Sequence, residues 1–220
     1  MKVAILCGGL GTRIAAIADG LPKAMIDVNG RPYLEYVIDS FRTAGLTDLV
    51  LLTGFRADVI EAHFGEGARF GVRIDYSREQ TPLGTGGALL QARALLGERF
   101  LLTYGDVLRR YDYGRFVQEH PRHALAVYRR VTIGNTDVEA GLVTRYDKEA
   151  PELPYIDAGF SVFETEVLDL VPGQGSFEQH VFPELARRGE LEAEIVDHDF
   201  YDIGTPEELA RTRAALENNP

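Results

Sequence analysis

The chain has 220 residues, is 45% hydrophobic and 26% charged, and carries a formal net charge of −11. That length suits one large domain able to bury roughly 70% of its unfolded surface. The acidic balance argues against a broad nucleic-acid-binding face, which needs clustered Lys and Arg. No stretch approaches the roughly 20 apolar residues of a membrane span, and the single cysteine, Cys7, excludes an intrachain disulfide and suits a reducing cytoplasm.

The first half alternates apolar runs with helical patterns. "KVAIL" reads as a buried strand, since the apolar run is too short for a secretory leader; Cys7, at its end, reads as a small buried residue. A glycine loop follows. "PYLEYVIDSFRTAG" has helical spacing and a glycine stop at Gly45, "DLVLLTG" is a strand, and "RADVIEAHFG" is a short helix. "VRIDYS", "GGALLQARALLG" and "RFLLTYGD" continue as strand, helix and strand. Such alternation predicts parallel strands with helical crossovers. The second half is richer in strands: "HALAVYRR", "AGLVTRYDK", "YIDAGFSVFE", "LEAEIVD" and "DFYDIG". "SFEQHVFPELARRG" reads as a helix capped by Ser176. The last helix, in "GTPEELARTRAALENN", has Thr205 at its N-cap, Pro206 in its first turn and Glu208 at the capping-box position. "KEAPELP" reads as a surface loop. The predicted fold is α/β: a Rossmann-like, mostly parallel mixed sheet with helices on both faces and a small β-rich extension.

The loop after the first strand carries the chemistry. Ligands of open α/β sheets bind at the carboxyl edge of the strands. In "LCGGLGTRIAAIADGLPKAM", Gly8, Gly9 and Gly11 remove side chains at that edge, so backbone N–H groups can approach an anion. Arg13 adds a planar fork of donors and Lys23 a mobile charge. The phosphate-binding pattern G-x-x-x-x-G-K-[ST] is absent. The dinucleotide fingerprint fails too: Ile14 stands where its third small residue belongs, and no acid ends the second strand. A nicotinamide dehydrogenase is therefore disfavoured.

"GGLGTRI" followed by "LPKAM" resembles the signature of the sugar-1-phosphate nucleotidyltransferases. "VNGRPYLEYVI", "EQTPLGTGGALLQA", "LLTYGDV", "YDK" and "FYDIGTPEEL" resemble further blocks of that family, in its order and over nearly the whole chain. Within the family, "PLGTGGAL" and "YDIGTPEEL" most resemble the D-glycero-D-manno-heptose 1-phosphate guanylyltransferases. The resemblance implies the nucleotide-diphospho-sugar transferase fold in a single domain over residues 1–220, with 1–115 mainly nucleotide-binding and 116–220 mainly sugar-phosphate-binding. It implies a nucleotide site made of Leu6, Gly8, Gly9, Gly11, Thr12, Arg13, Lys23, Glu79, Gln80, Pro82, Gly84, Thr85, Gly86 and Gly105. On the sugar-phosphate side it implies Asn135, Asp147, Lys148, Asp157 and Gly159. Arg13, Lys23 and Asp106 would carry catalysis, Arg13 steadying the triphosphate and Lys23 lying near its α-phosphate.

Asp106 and Asp202 each stand beside a predicted strand end. As a pair they would seat magnesium, which takes one or two carboxylates plus phosphate oxygens and water; read singly, each is also an ordinary turn aspartate. The partners implied are a nucleoside triphosphate and a sugar 1-phosphate, with no nucleic acid and no membrane, and a homodimer or larger homo-oligomer is left open. GTP ranks first, with ATP, CTP, UTP and dTTP as alternatives. A non-catalytic sugar-nucleotide sensor is the rival; it would be expected to lack Arg13, Lys23 or an aspartate, and all are present. The sugar side departs from the family pattern at Tyr104, at Asp147-Lys148-Glu149 and at Asp157-Ala158-Gly159, so the sugar stays open. His63, His120, His123, His180 and His198 show no zinc-ligand spacing.

Overall fold

The computed structural model describes residues 1–9, 14–129, 133–150, 152–197 and 200–217. Gly11, Thr12, Arg13 and His198 lie outside the described residues. In chain order the strands are β1 (Lys2–Leu6), β2 (Asp27–Val28), β3 (Arg31–Pro32), β4 (Asp48–Thr53), β5 (Arg73–Arg78), β6 (Arg99–Tyr104), β7 (Val107–Arg109), β8 (Ala124–Arg129), β9 (Thr136–Glu139), β10 (Leu142–Tyr146), β11 (Tyr155–Glu164), β12 (Glu192–Ile195) and β13 (Phe200–Asp202). The helices are α1 (Ala15–Ala18), α2 (Tyr33–Thr43), α3 (Ala57–Phe64), α4 (Gly84–Leu96), α5 (Tyr113–Glu119), α6 (Phe177–Arg188) and α7 (Pro206–Glu217).

A nine-stranded sheet runs β5-β4-β1-β6-β11-β8-β12-β10-β9. The strands of the first half, β5, β4, β1 and β6, are parallel, as their helical crossovers require. The β-rich second half continues the same sheet: β11 runs antiparallel between β6 and β8, β12 pairs parallel with β8, and β10 and β9 complete the edge antiparallel. Strand direction positions the site. Leu6 pairs in register with Leu52 and with Tyr104, so β1, β4 and β6 end at one edge. Because β11 runs the other way, its first residues, around Asp157, arrive at that same edge, with Phe160 opposite Thr103.

Both faces of the sheet are covered, which is why the central strands are apolar on both sides. Val3, Ile5, Leu49 and Leu51 pack with Val37 and Phe41 of α2, Phe116 of α5 and Leu209 of α7. Ala4, Val50 and Leu52 face the other way, onto Leu89 and Leu96 of α4 and Phe182 and Leu185 of α6. The predicted caps form: Ser176 accepts from the Gln179 N–H and Thr205 from the Glu208 N–H, each at 3.2 Å. Sequence pattern did not show the β2–β3 hairpin, β7, α5 or β9. Asp112 starts α5 by accepting from the Arg115 N–H at 2.9 Å, and Tyr113, in its first turn, is buried in the core. Among the described residues no helix is long and apolar enough to cross a membrane.

Candidate active site

A cleft of about 720 Å³ opens at the carboxyl edge of β1, β4 and β6. It is lined by Leu6, Gly8, Gly9, Lys23, Glu79, Gln80, Pro82, Gly84, Thr85, Gly105 and Asp106, all of them expected from the sequence, and also by Cys7, Phe55 and Tyr104. Backbone pairing runs on past the strand ends. Cys7 N–H donates to Leu52 O at 3.0 Å and Gly105 N–H to Leu6 O at 2.9 Å, which holds the floor flat. Cys7 is buried, and burial pushes its thiol up to about 12, so it is a packing residue rather than a nucleophile.

Glu79 follows β5 and lies across this floor. Its Oε2 accepts from the Leu83 N–H at 3.0 Å, and a Cβ added at Gly54 or Gly8 would meet its Oε1 at 2.6 or 3.0 Å. Glycine at these two positions therefore makes room for a carboxylate at the bottom of the cleft.

Gly84 and Gly86 have a different basis. Gly84 has φ +73° and its missing Cβ would fall 2.5 Å from Gly175 O. Gly86 does not line the cleft; its N–H donates to Gly175 O at 2.8 Å, and a Cβ would meet Val171 Cγ1 at 2.9 Å. A side chain is absent at Gly86 because α4 packs tightly on the segment leading to α6.

Asp106 ends the turn after β6, and Asp202 ends β13. The antiparallel β7–β13 ribbon sets Asp202 opposite Val107, next to Asp106. Tyr33 Oη donates to Tyr201 O and Thr212 Oγ1 donates to Asp202 O at 2.8 Å, which pins that backbone. Lys23, opening a short 3-10 turn at Lys23–Met25, places Nζ 2.7 Å from Asp106 Oδ2 and 3.6 Å from Asp202 Oδ1. Burial raises the Asp202 carboxyl; Lys23 pulls it back down, and Asp106 and Glu208 push it up. Asp202 Oδ1 is buried without a hydrogen-bond partner. Two carboxylates with one such oxygen form an all-oxygen donor set that fits a hard divalent cation.

The residues expected on the sugar side gather beside the cleft without lining it. Asp157 Oδ1 accepts from the Gly159 N–H at 2.7 Å, Gly159 has φ +82°, and its carbonyl accepts from Thr103 Oγ1 at 3.0 Å. Burial pushes the Asp157 carboxyl up to about 6, with the Gly159 hydrogen bond opposing. Asn135 Oδ1 accepts from Thr136 Oγ1 and from the Asp157 N–H, tying the starts of β9 and β11 together. Asp147 is held by its own turn: its oxygens accept from the Glu149 N–H and the Arg145 guanidinium, and these bonds lower its carboxyl. Lys148 Nζ lies 3.3 Å from Glu178 Oε2.

Glu178 was not anticipated. It is 2% exposed, in the first turn of α6, and its carboxylate also accepts from Thr85 Oγ1, Tyr104 Oη and Ser176 Oγ. In sequence it is an acid near a helix start, which the helix dipole alone explains; its four donors come from four separate segments, so no local pattern could reveal it. A second cluster, His123 with Glu164 and Glu166, brings possible ligand atoms within 4.8 Å at the opposite end of β11. There Arg122 already lies 3.2 Å from Glu164 and 3.8 Å from Glu166, so a cation is built in.

The chain is 34% identical over 228 residues to the mannose-1-phosphate guanylyltransferase of Mycobacterium tuberculosis, an alignment covering 96% of this chain and 63% of the relative. It thus spans about 63% of that protein's length. It is 28% identical to the D-glycero-alpha-D-manno-heptose 1-phosphate guanylyltransferase of Campylobacter jejuni, over 94% of this chain and 96% of the relative. Its fold superposes on HddC from Yersinia pseudotuberculosis with a TM-score of 0.84 at 25% identity, covering 98% of this chain and 99% of that one. HddC has also been solved complexed with GMP-PN. With residues 2–219 matching the nucleotidyl transferase family, and the strand-edge cleft and paired aspartates in place, the chain belongs to that family.

Proposed function

We propose that the chain transfers a guanylyl group from GTP to the phosphate of a manno-configured sugar 1-phosphate, with heptose ranked before mannose, releasing pyrophosphate. The observation that carries this reading is Lys23 held between Asp106 and Asp202 at the rim of a glycine-floored cleft. The relatives named guanylyltransferases and the GMP-PN complex of HddC support the nucleotide. So does Glu79. Guanine presents its ring N–H and exocyclic amine side by side, and a carboxylate, which only accepts, matches two adjacent donors.

The chemistry needs no protein nucleophile or base. A phosphate oxygen of the sugar 1-phosphate, already anionic, attacks the α-phosphorus; the bond from the α-phosphorus to the bridging oxygen breaks in line, and that oxygen leaves with pyrophosphate without proton transfer. The protein's contribution is positioning and charge compensation. Lys23 lies near the α-phosphate, Arg13 steadies the departing pyrophosphate, and Lys148 holds the acceptor phosphate. Asp106 and Asp202 fit magnesium, which when bound offsets charge on phosphate oxygens. Residues 1–115 serve mainly the nucleotide and 116–220 mainly the sugar phosphate. A matrix of GTP, ATP, CTP, UTP and dTTP against mannose, glucose and heptose 1-phosphates, read by pyrophosphate release with magnesium, tests the reading. GTP with a manno-configured acceptor should turn over fastest, and no release from any pair would overturn it.

A further inference from the structure

We propose that Glu178 is a positioning residue for the acceptor side of the reaction: its buried carboxylate anchors Lys148 so that the ammonium faces the incoming sugar phosphate. The inference rests on the function proposed above and deepens it. Four donors converge on this carboxylate from four places in the fold. Thr85 comes from the first turn of α4, Tyr104 from the end of β6, Ser176 from the cap of α6, and Lys148 from the turn after β10. Thr85 and Tyr104 also line the cleft. Thr85 Oγ1 accepts from the Phe177 N–H at 2.8 Å, so its own proton is directed at Glu178.

The pairing with Lys148 is lopsided. Glu178 is 2% exposed at its side chain and Lys148 is 41% exposed. The acid is therefore the fixed member and the ammonium the member left accessible. At 3.3 Å the contact occupies one of the three N–H donors of Lys148 and leaves two for an anion. A buried carboxylate with one cation and three hydroxyl donors is a satisfied charge; removing that charge leaves the ammonium without its counter-charge. Three of the four donors share Oε2, while Oε1 takes Tyr104. The hydroxyls can turn to accept from an amide NH₂, whereas the ammonium cannot, and an amide oxygen carries no charge to hold it, so Glu178→Gln changes volume little and loosens Lys148.

The experiment is steady-state kinetics of Glu178→Gln, Lys148→Met and the double variant, with GTP and with the best acceptor found for the unaltered chain. Glu178→Gln should raise the acceptor KM about tenfold or more, lower kcat less than about threefold, and move the GTP KM less than about threefold. Adding Glu178→Gln to Lys148→Met should raise the acceptor KM no further, because the group it acts through is already gone. A purely structural role would instead lower kcat through a smaller folded fraction and leave both KM values in place, and that outcome overturns the proposal. Multiplying effects in the double variant overturn it as well. If Glu178→Gln does not fold, Glu178→Asp, which keeps the charge but retracts it, reads the same split with smaller amplitude; an unchanged acceptor KM there is a refutation. An unaltered chain that makes no nucleotide sugar from any pair removes the functional reading itself, and this inference with it.

Discussion

On the function proposed above, the nucleotide side in the cleft and the acceptor side next to it are built by opposite means. The nucleotide side is mostly backbone: ends of parallel strands, Gly8 and Gly54 lying under Glu79, and a single lysine facing two aspartates. The acceptor side is mostly side chains already committed to one another, with Glu178 taking four donors and Asp157 and Asn135 bonded to neighbouring backbone. An open backbone floor suits a flat base and a flexible phosphate chain. A saturated polar network holds a few charged atoms rigidly, which suits discrimination among hydroxyl configurations. Recognition on the first side should therefore fail through individual charges, and on the second through loss of a network.

The largest effect expected is on the nucleotide side. Asp106→Asn removes a carboxylate from the seat that Lys23 and Asp202 complete, and turnover should fall by about 10³-fold, the scale of losing several kcal/mol of charge stabilisation. Its side chain is 36% exposed, so the fold should survive; an unchanged circular dichroism spectrum and melting curve check that. A variant retaining more than about a tenth of normal turnover would break the assignment of this edge to phosphate chemistry.

Glu79→Gln sharpens the comparison within the nucleotide side. Guanine recognition by paired acceptors is of order 1–3 kcal/mol, so kcat/KM for GTP should drop about tenfold to a hundredfold. Values for ATP should change less than about threefold. Competition between the two triphosphates measures this directly. An equal loss for both would mean that Glu79 matters only for holding the Leu83 N–H.

These two residues also mark how far sequence alone could go. Gly8, Gly9 and Asp106 closely follow β1 and β6, where local pattern and strand order coincide, so their place at one edge could be read; Lys23 reaches the same cleft from its 3-10 turn. Asp202 needed the β7–β13 ribbon to reach Asp106, and the pairing was legible only through family resemblance. Glu178 was not legible at all, because what makes it special is four hydrogen bonds to residues up to 93 positions away. Gly86 shows the converse: in sequence a glycine-rich helix start looks alike whether it faces a base or a neighbouring loop, and its packing on Gly175 is visible only in the fold. The antiparallel insertion of β11 between β6 and β8 is likewise a long-range choice, one that alternation of apolar residues within β11 cannot report.

Gly86→Ala separates those two roles with a smaller effect. The added methyl gains helix propensity of up to about 1 kcal/mol but must displace Val171 Cγ1 at 2.9 Å and crowd Gly175 O at 3.1 Å. A net loss of about 1–2 kcal/mol should appear as a lower urea midpoint with an unchanged slope. The GTP KM, measured well below the melting range, should not move. A raised KM with normal stability would return Gly86 to the nucleotide.

Asp157→Asn acts on stability within a pH window, and its effect has a definite sign. Burial lifts the folded-state carboxyl from 3.8 to about 6, so between those values the folded chain holds a proton that the unfolded chain has released. The protonated group favours folding at low pH, and that contribution is lost as pH rises through about 6. At pH 7 to 8 the ionised, buried group costs about 3 kcal/mol by the same arithmetic. Asparagine keeps an oxygen to accept the Gly159 N–H and never ionises. The variant should therefore melt higher than the parent at pH 8, and the gap should close toward pH 4 to 5. A gap constant across that range, or a parent more stable at pH 8, would mean that the carboxylate is already compensated by Lys148 and Arg109. The acceptor side would then be as charge-tolerant as the nucleotide edge, and the contrast between the two would disappear. If the gap does close as described, the acceptor side keeps an acid that weakens the folded chain at neutral pH, and a raised acceptor KM in the same variant would identify what that acid is retained to bind.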